Sequence, residues 1–208
     1  MKVQILSDIH LEFGLRDFDF SQAELLILAG DIHVGQKGIE WLFERVRDIP
    51  VIYVLGNHEY YQNSYPKLLH KIKKLVEGTN IHVLENDSMN IEGIAFHGAT
   101  LWTEFELFGD ARIAGFECQQ RMNDYHLIRR DPSYSKMRAV DTQVIHNESL
   151  KWLRESLNER SSSTTVVVTH HAPSLNSISP KYREDLVSAG FASSLDSFIL
   201  EKQPELWI

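Results

Sequence analysis

Four short clusters in this 208-residue chain combine carboxylate, amide and imidazole side chains: Ser7-Asp8-Ile9-His10, Gly30-Asp31-Ile32-His33, Gly56-Asn57-His58-Glu59 and His170-His171-Ala172-Pro173. A single Asp or His at the end of an apolar run is by default a turn or capping residue. Four such clusters in succession are hard to explain by turn chemistry. Asp8 and His10 are two residues apart in an extended segment, so both side chains can face one side. Oxygen from Asp and Asn together with nitrogen from His suits Mn, Fe, Zn or Ni better than Ca or Mg. Gly30 and Gly56 allow tight backbone turns beside these groups.

The elements that must position these clusters follow from the apolar pattern. Val3–Leu6, Leu25–Ala29 and Val51–Leu55 read as three strands, the second apolar enough to be buried on both faces. Ile39, Leu42, Phe43 and Val46 recur at helical spacing, as do Leu68, Leu69, Ile72, Leu75 and Val76. Strand, helix, strand, helix implies right-handed crossovers and a largely parallel sheet. In such sheets ligands bind beyond the C-terminal strand ends, which is where three of the clusters fall.

Further on, residues 81–84, 89–91 and 94–97 read as short strands, with Glu92-Gly93 at a hairpin. Residues 102–138 read as irregular and are expected to form a cap or lid. A helix is predicted over 140–157 with Val144, Leu150, Leu153 and Leu157 on one side, then a surface turn at Ser161–Ser163. The β-branched run Thr164–Thr169 is expected to be a central strand, with the fourth cluster directly after it. A last helix is expected over 193–200, and residues 204–208 begin to read as another strand.

With those residues in place, the sequence resembles the calcineurin-like metallophosphoesterase superfamily. Its motifs are D-x-H, G-D-x-x, G-N-H-[DE], a His after a later strand, and a final G-H-x-H. Asp8-Ile9-His10, Gly30-Asp31-Ile32-His33, Gly56-Asn57-His58-Glu59 and His170 match the first four, over residues 8–170. The resemblance implies an α/β fold, an α/β/β/α sandwich of mixed sheets flanked by helices, in one domain spanning 1–208. It implies two divalent ions: Asp8 and His10 on one, Asp31 bridging, Asn57 and His170 on the other. It gives His58 a catalytic place facing the substrate, donating a proton or stabilising phosphate, with Glu59 or a nearby carboxylate orienting it. The implied reaction is hydrolysis of a phosphodiester or phosphomonoester by a metal-bridging hydroxide. Two divalent ions and two aspartates would leave a local charge of roughly +2, enough to attract phosphate.

The chain as given ends at Ile208, where G-H-x-H would begin. The expectation is that C-terminal strands are missing, by truncation or in a naturally shortened member, with fewer or looser ions and impaired activity. A non-catalytic metal- or partner-binding member of the same fold is the alternative.

Other residues carry weaker signals. His33 and His171 are expected beside the site or in packing, and His97 in the core. Tyr60 and Tyr61 could stack on a nucleoside or pack in the core. Arg121, Arg129, Arg130, Lys136 and Arg138 form a basic island, either a solvated loop face or a lid gripping phosphates. Trp102 and the Phe105–Phe108 region could line the same mouth.

Composition narrows the partners. Twenty-one Lys and Arg against 29 Asp and Glu give a net charge of −8, which argues against duplex nucleic acid; a phosphorylated small molecule or nucleotide-type substrate is what the resemblance implies. The single cysteine, Cys118, cannot form an internal disulfide. No apolar run is long enough for a signal peptide or membrane span, so a cytoplasmic location is expected.

Overall fold

A computed structural model describes residues 1–14, 16–158 and 164–208. The turn expected at Ser161–Ser163 lies outside the described residues. In chain order the first elements are β1 (Val3–Leu6), β2 (Leu25–Ala29), α1 (Lys37–Arg45), β3 (Val51–Val54), β4 (Ser64–Tyr65), α2 (Lys67–Leu75) and β5 (Ile81–Val83). Then come β6 (Asp87–Ile91), β7 (Ile94–Ala99), α3 (Ala111–Arg121), α4 (Asp124–Leu127), β8 (Arg129–Arg130) and β9 (Ser135–Lys136). The last are α5 (Ala139–Asn158), β10 (Thr164–Thr169), α6 (Asp196–Lys202) and β11 (Leu206–Trp207). The fold is mixed α/β, with three sheets flanked by helices. The described residues form two compact units, 1–85 with 127–136, and 86–126 with 137–208.

In the first unit β1, β2, β3 and β5 lie side by side in that order, all parallel. Every residue of β2 and β3 is buried, as continuous Leu, Ile and Val runs require when both faces are covered. Ile39 and Leu42 of α1 and Leu68, Leu69 and Ile72 of α2 are buried along one stripe each. A small second sheet joins β4 to β8 in parallel and β8 to β9 antiparallel.

The second unit is built on the order β11-β10-β7-β6. β10 runs parallel to both β7 and β11, and β6 pairs antiparallel with β7. The β6–β7 turn is Glu92-Gly93, both at positive φ (52° and 82°), as a tight two-residue hairpin demands. Leu101, Leu153, Leu157, Val167, Leu195 and Phe198 form the core between α5, α6 and β10.

Three helices differ from the sequence expectation, the short α4 (Asp124–Leu127) among them, since it too falls in the segment expected to be irregular. Residues 102–138, expected to be irregular, contain α3, whose apolar residues do not form one stripe. Ala114, Gly115 and Cys118 are buried, while Ile113 and Phe116 are exposed. In α5 Val144 is exposed, and the buried side instead carries Ile145, His146, Ser149, Leu153 and Leu157. Polar His146 and Ser149 on that side conceal its true direction from a hydrophobic count.

Candidate functional site

The first three clusters converge in the first unit, beyond the C-terminal ends of β1, β2 and β3. Parallel neighbours bring them together: the Asp8 amide donates to the Gly30 carbonyl (3.1 Å) and the His10 amide to the Asp31 carbonyl (3.0 Å). Asp8, His10 and Asp31 take left-handed backbone conformations, φ 52°, 45° and 55°. Such conformations cost about 1–3 kcal/mol each for residues with a Cβ and persist where the surroundings enforce them, which is typical of functional sites. Gly30 (φ 89°) supplies the turn before Asp31 at no such cost.

Asp31 is buried at the centre. Its Oδ1 accepts the His58 backbone N–H at 2.9 Å. Its Oδ2 lies 3.8 Å from His10 Nε2 and 3.8 Å from His58 Nε2. These separations are too long for hydrogen bonds. They are the spacing expected of ligands around one small divalent ion with bonds of about 2.0–2.2 Å. One ligand atom from each of His10, Asp31 and His58 lies within 4.8 Å of the other two. A carboxylate with two imidazoles is a donor set for a transition ion, so the residues present fit the implied metal. Asp8, after β1, has an exposed carboxylate that accepts from Ser7 Oγ. Asn57 is buried, and its amide donates to the Tyr61 hydroxyl at 3.4 Å.

Glu59 braces the loops that carry Asp31 and His58. It is fully buried, and its oxygens accept from the amides of Asp31 (3.0 Å), Ile32 (2.8 Å) and Gly56 (2.8 Å) and from the Tyr53 hydroxyl (2.7 Å). It ties the loop after β2 to the loop after β3. The carboxylate on His58 is Glu12. A 3-10 turn at Leu11–Phe13 aims it at both rings, with Oε1 2.8 Å from His58 Nδ1 and 3.1 Å from His10 Nδ1. Burial raises the Glu12 carboxyl, but hydrogen bonds from its own amide, His58 and His10 outweigh burial and leave it below its ordinary value.

Glu12 escaped sequence reasoning because its only signal was a position two residues after His10. Aromatic rings complete the surroundings. Tyr61 stacks on His58 with centroids 4.2 Å apart. Phe13, 79% exposed, lies 5.6 Å from the His10 ring and 6.3 Å from the His58 ring.

Other candidates in the first unit take the following places. Tyr60 is fully buried against Tyr65. His33 is half-buried, and burial lowers its imidazole below the ordinary value. Arg129 sits in β8 opposite Ser64. Of the basic island, Arg121 pairs with Asp185 and Arg138 with Asp141, as loop-bracing contacts.

In the second unit His170 follows β10, its ring edge-on to His171 at 4.9 Å. His171 is buried, within hydrogen-bond distance of the Thr100 carbonyl through Nδ1 (3.1 Å) and stacked on Trp102. His97 is buried and paired with Ser156 Oγ through Nδ1 (2.8 Å). Burial pushes the Cys118 thiol up to about 12, so it is a packing residue.

Comparison with known proteins adds three findings. The family model described as calcineurin-like phosphoesterase matches residues 1–207. A protein of Acanthamoeba polyphaga mimivirus, itself uncharacterized, is 29% identical over 195 residues, covering 82% of this chain and 68% of the relative. The crystal structure of a phosphopantetheinyl hydrolase from Mycobacterium tuberculosis is similar over 97% of this chain and 79% of that one, with a TM-score of 0.69 and 15% identity.

Proposed function

Given that the chain belongs to the calcineurin-like phosphoesterase family, we propose that it hydrolyses esters of phosphate on a small-molecule or nucleotide-type substrate, mono- or diester, with two divalent ions. The observation that carries this reading is the convergence of Asp8, His10, Asp31, Asn57 and His58 beyond the C-terminal ends of β1, β2 and β3. Asp8, His10, Asp31, Asn57 and His170 are the residues that would hold the ions, His170 on the strength of its motif position. The chemistry such ions supply when bound is polarisation of the phosphate and acidification of water, from among Mn, Fe, Zn or Ni.

The protein's own groups do the rest. Glu59 and the His58 amide hold Asp31 rigid, so the ligands are set before substrate arrives. His58, with Nδ1–H on Glu12, is placed to take up a second proton on Nε2 and, as the imidazolium, pass it to the departing ester oxygen, which returns the ring to the Nδ1–H form. Residues 1–208 are read as one phosphoesterase domain, with 102–138 as its cap. The lone buried Cys118 suits a reducing compartment such as the cytoplasm. No described helix is long and apolar enough to cross a membrane.

One observation favours a second reading. His58 Nε2 is as close to Asp31 as His10 Nε2 is, so His58 could itself ligate a single ion and leave no proton donor. The protein would then bind metal without turnover. The test is to strip the protein with chelator, add back Mn, Fe, Zn or Ni singly, and assay bis-p-nitrophenyl phosphate, p-nitrophenyl phosphate and a phosphopantetheine ester. Metal-restored hydrolysis is expected. Metal uptake with no hydrolysis of any ester would overturn the proposal in favour of the second reading.

A further inference from the structure

We infer that Glu12 is the positioning residue of this site: its single oxygen Oε1 sets the orientation and tautomer of both His10 and His58. An ionised carboxylate only accepts hydrogen bonds, so a ring nitrogen at 2.8 or 3.1 Å from Oε1 must be the donor. Both rings therefore carry a proton on Nδ1, whereas free neutral histidine favours the proton on Nε2. The carboxylate holds two rings in the tautomer that leaves Nε2 available toward Asp31. Among the described residues no other acid lies at hydrogen-bond distance from both ring Nδ1 atoms. Glu59 is engaged by three amides and Tyr53, and Asp31 Oδ1 accepts the His58 amide.

The second Glu12 oxygen, Oε2, is buried with no hydrogen-bond partner among the described residues. The side-chain bonds of Glu12 thus run through Oε1 and end on the two histidines. The two rings touch edge-on at 4.5 Å, so a shift of one is felt by the other. A metal-binding group and the proposed proton donor share one anchor, and loss of that anchor reaches both. Only the role of His58 as donor rests on the hydrolase proposal.

The tautomers can be read directly from two-bond ¹⁵N–¹H imidazole spectra of the labelled, metal-free protein. His10 and His58 are expected to show the Nδ1–H pattern in the wild type and in Glu12→Gln, whose amide oxygen still accepts. Glu12→Ala is expected to lose that pattern at both residues and to bind Zn²⁺ about 10–100-fold more weakly by calorimetry, with Glu12→Gln much closer to wild type. Should Glu12→Ala fail to fold, Glu12→Asp, one methylene shorter, is expected to release at least one ring. Nδ1–H patterns that survive in both Ala and Asp variants, or an Nε2–H pattern in the wild type, would overturn the inference. The spectra need no turnover. A protein that hydrolyses no ester yet shows these changes refutes the hydrolase proposal and leaves the Glu12 anchor standing.

Discussion

The Tyr53 hydroxyl donates to Glu59 Oε1 across 2.7 Å, and both side chains are shut off from solvent. Burial, and then the charge of Glu59, push the Tyr53 phenol well above its ordinary value, so it stays a donor. Through this pair the end of β3 is tied to the two loops that carry Asp31 and His58. The site is rigid because a buried carboxylate with four donors has nowhere else to go.

Removing Glu59 is therefore predicted to be a stability mutation as much as an activity mutation. Glu59→Ala leaves three amides and a hydroxyl without their acceptor, at about 1–3 kcal/mol each before relaxation. A loss of several kcal/mol is expected in denaturant unfolding. Tyr53→Phe removes one bond to a charged group and should cost about 1.5–3 kcal/mol. The expected order is Glu59→Ala well below Tyr53→Phe. Equal stability of Glu59→Ala and wild type would contradict the network.

Stability is predicted to fall on mild acidification through His146. This imidazole is 1% exposed, with Nε2 3.3 Å from Glu104 Oε2. Burial lowers it below its ordinary value even though Glu104 pulls it up. The native state thus stays neutral where the unfolded state takes a proton. Stability is complete above about pH 6.5 and declines as pH falls below it, by at most about 1.4 kcal/mol per pH unit for one group. His146→Gln should flatten the slope of ΔG between pH 6.5 and 5. Some slope should remain, because burial also lowers His171 well below its ordinary value. An unchanged slope in the variant would remove His146 from the account.

Phe13 is an exposed ring beside the proposed proton donor, so it is predicted to meet the group that leaves with the ester oxygen. Phe13→Ala should raise KM for aryl and nucleoside esters by several-fold and leave alkyl esters unaffected. An equal effect on both would mean that Phe13 contributes no stacking contact.

Much of this was legible in the sequence. The D-x-H, G-D and G-N-H-E clusters fall after apolar runs, and parallel pairing of those runs necessarily gathers them at one sheet end. The hairpin at Glu92-Gly93 and the strand at Thr164–Thr169 are written in turn chemistry and β-branching. What was not legible depends on contacts between distant segments. Glu12 belongs to none of the four motifs, and only the turn at Leu11–Phe13 aims it at a ring 46 residues away. Glu59, adjacent to His58, pointed instead at the loop after β2. α3 was hidden because small residues, Ala114 and Gly115, do its packing. Two-residue strands such as β8 carry no periodicity at all.

The most direct test of the central claim varies the leaving group in the wild type and in His58→Ala, each loaded with the same ion and with its metal content measured. A proton donor matters for an alkyl ester and hardly at all for a p-nitrophenyl ester, whose leaving oxygen needs no proton. Retained metal is expected, with a loss of about 10²–10⁴-fold in kcat on the alkyl ester and a much smaller loss on the p-nitrophenyl ester. Equal losses on both esters, or loss of the metal together with His58, would contradict it.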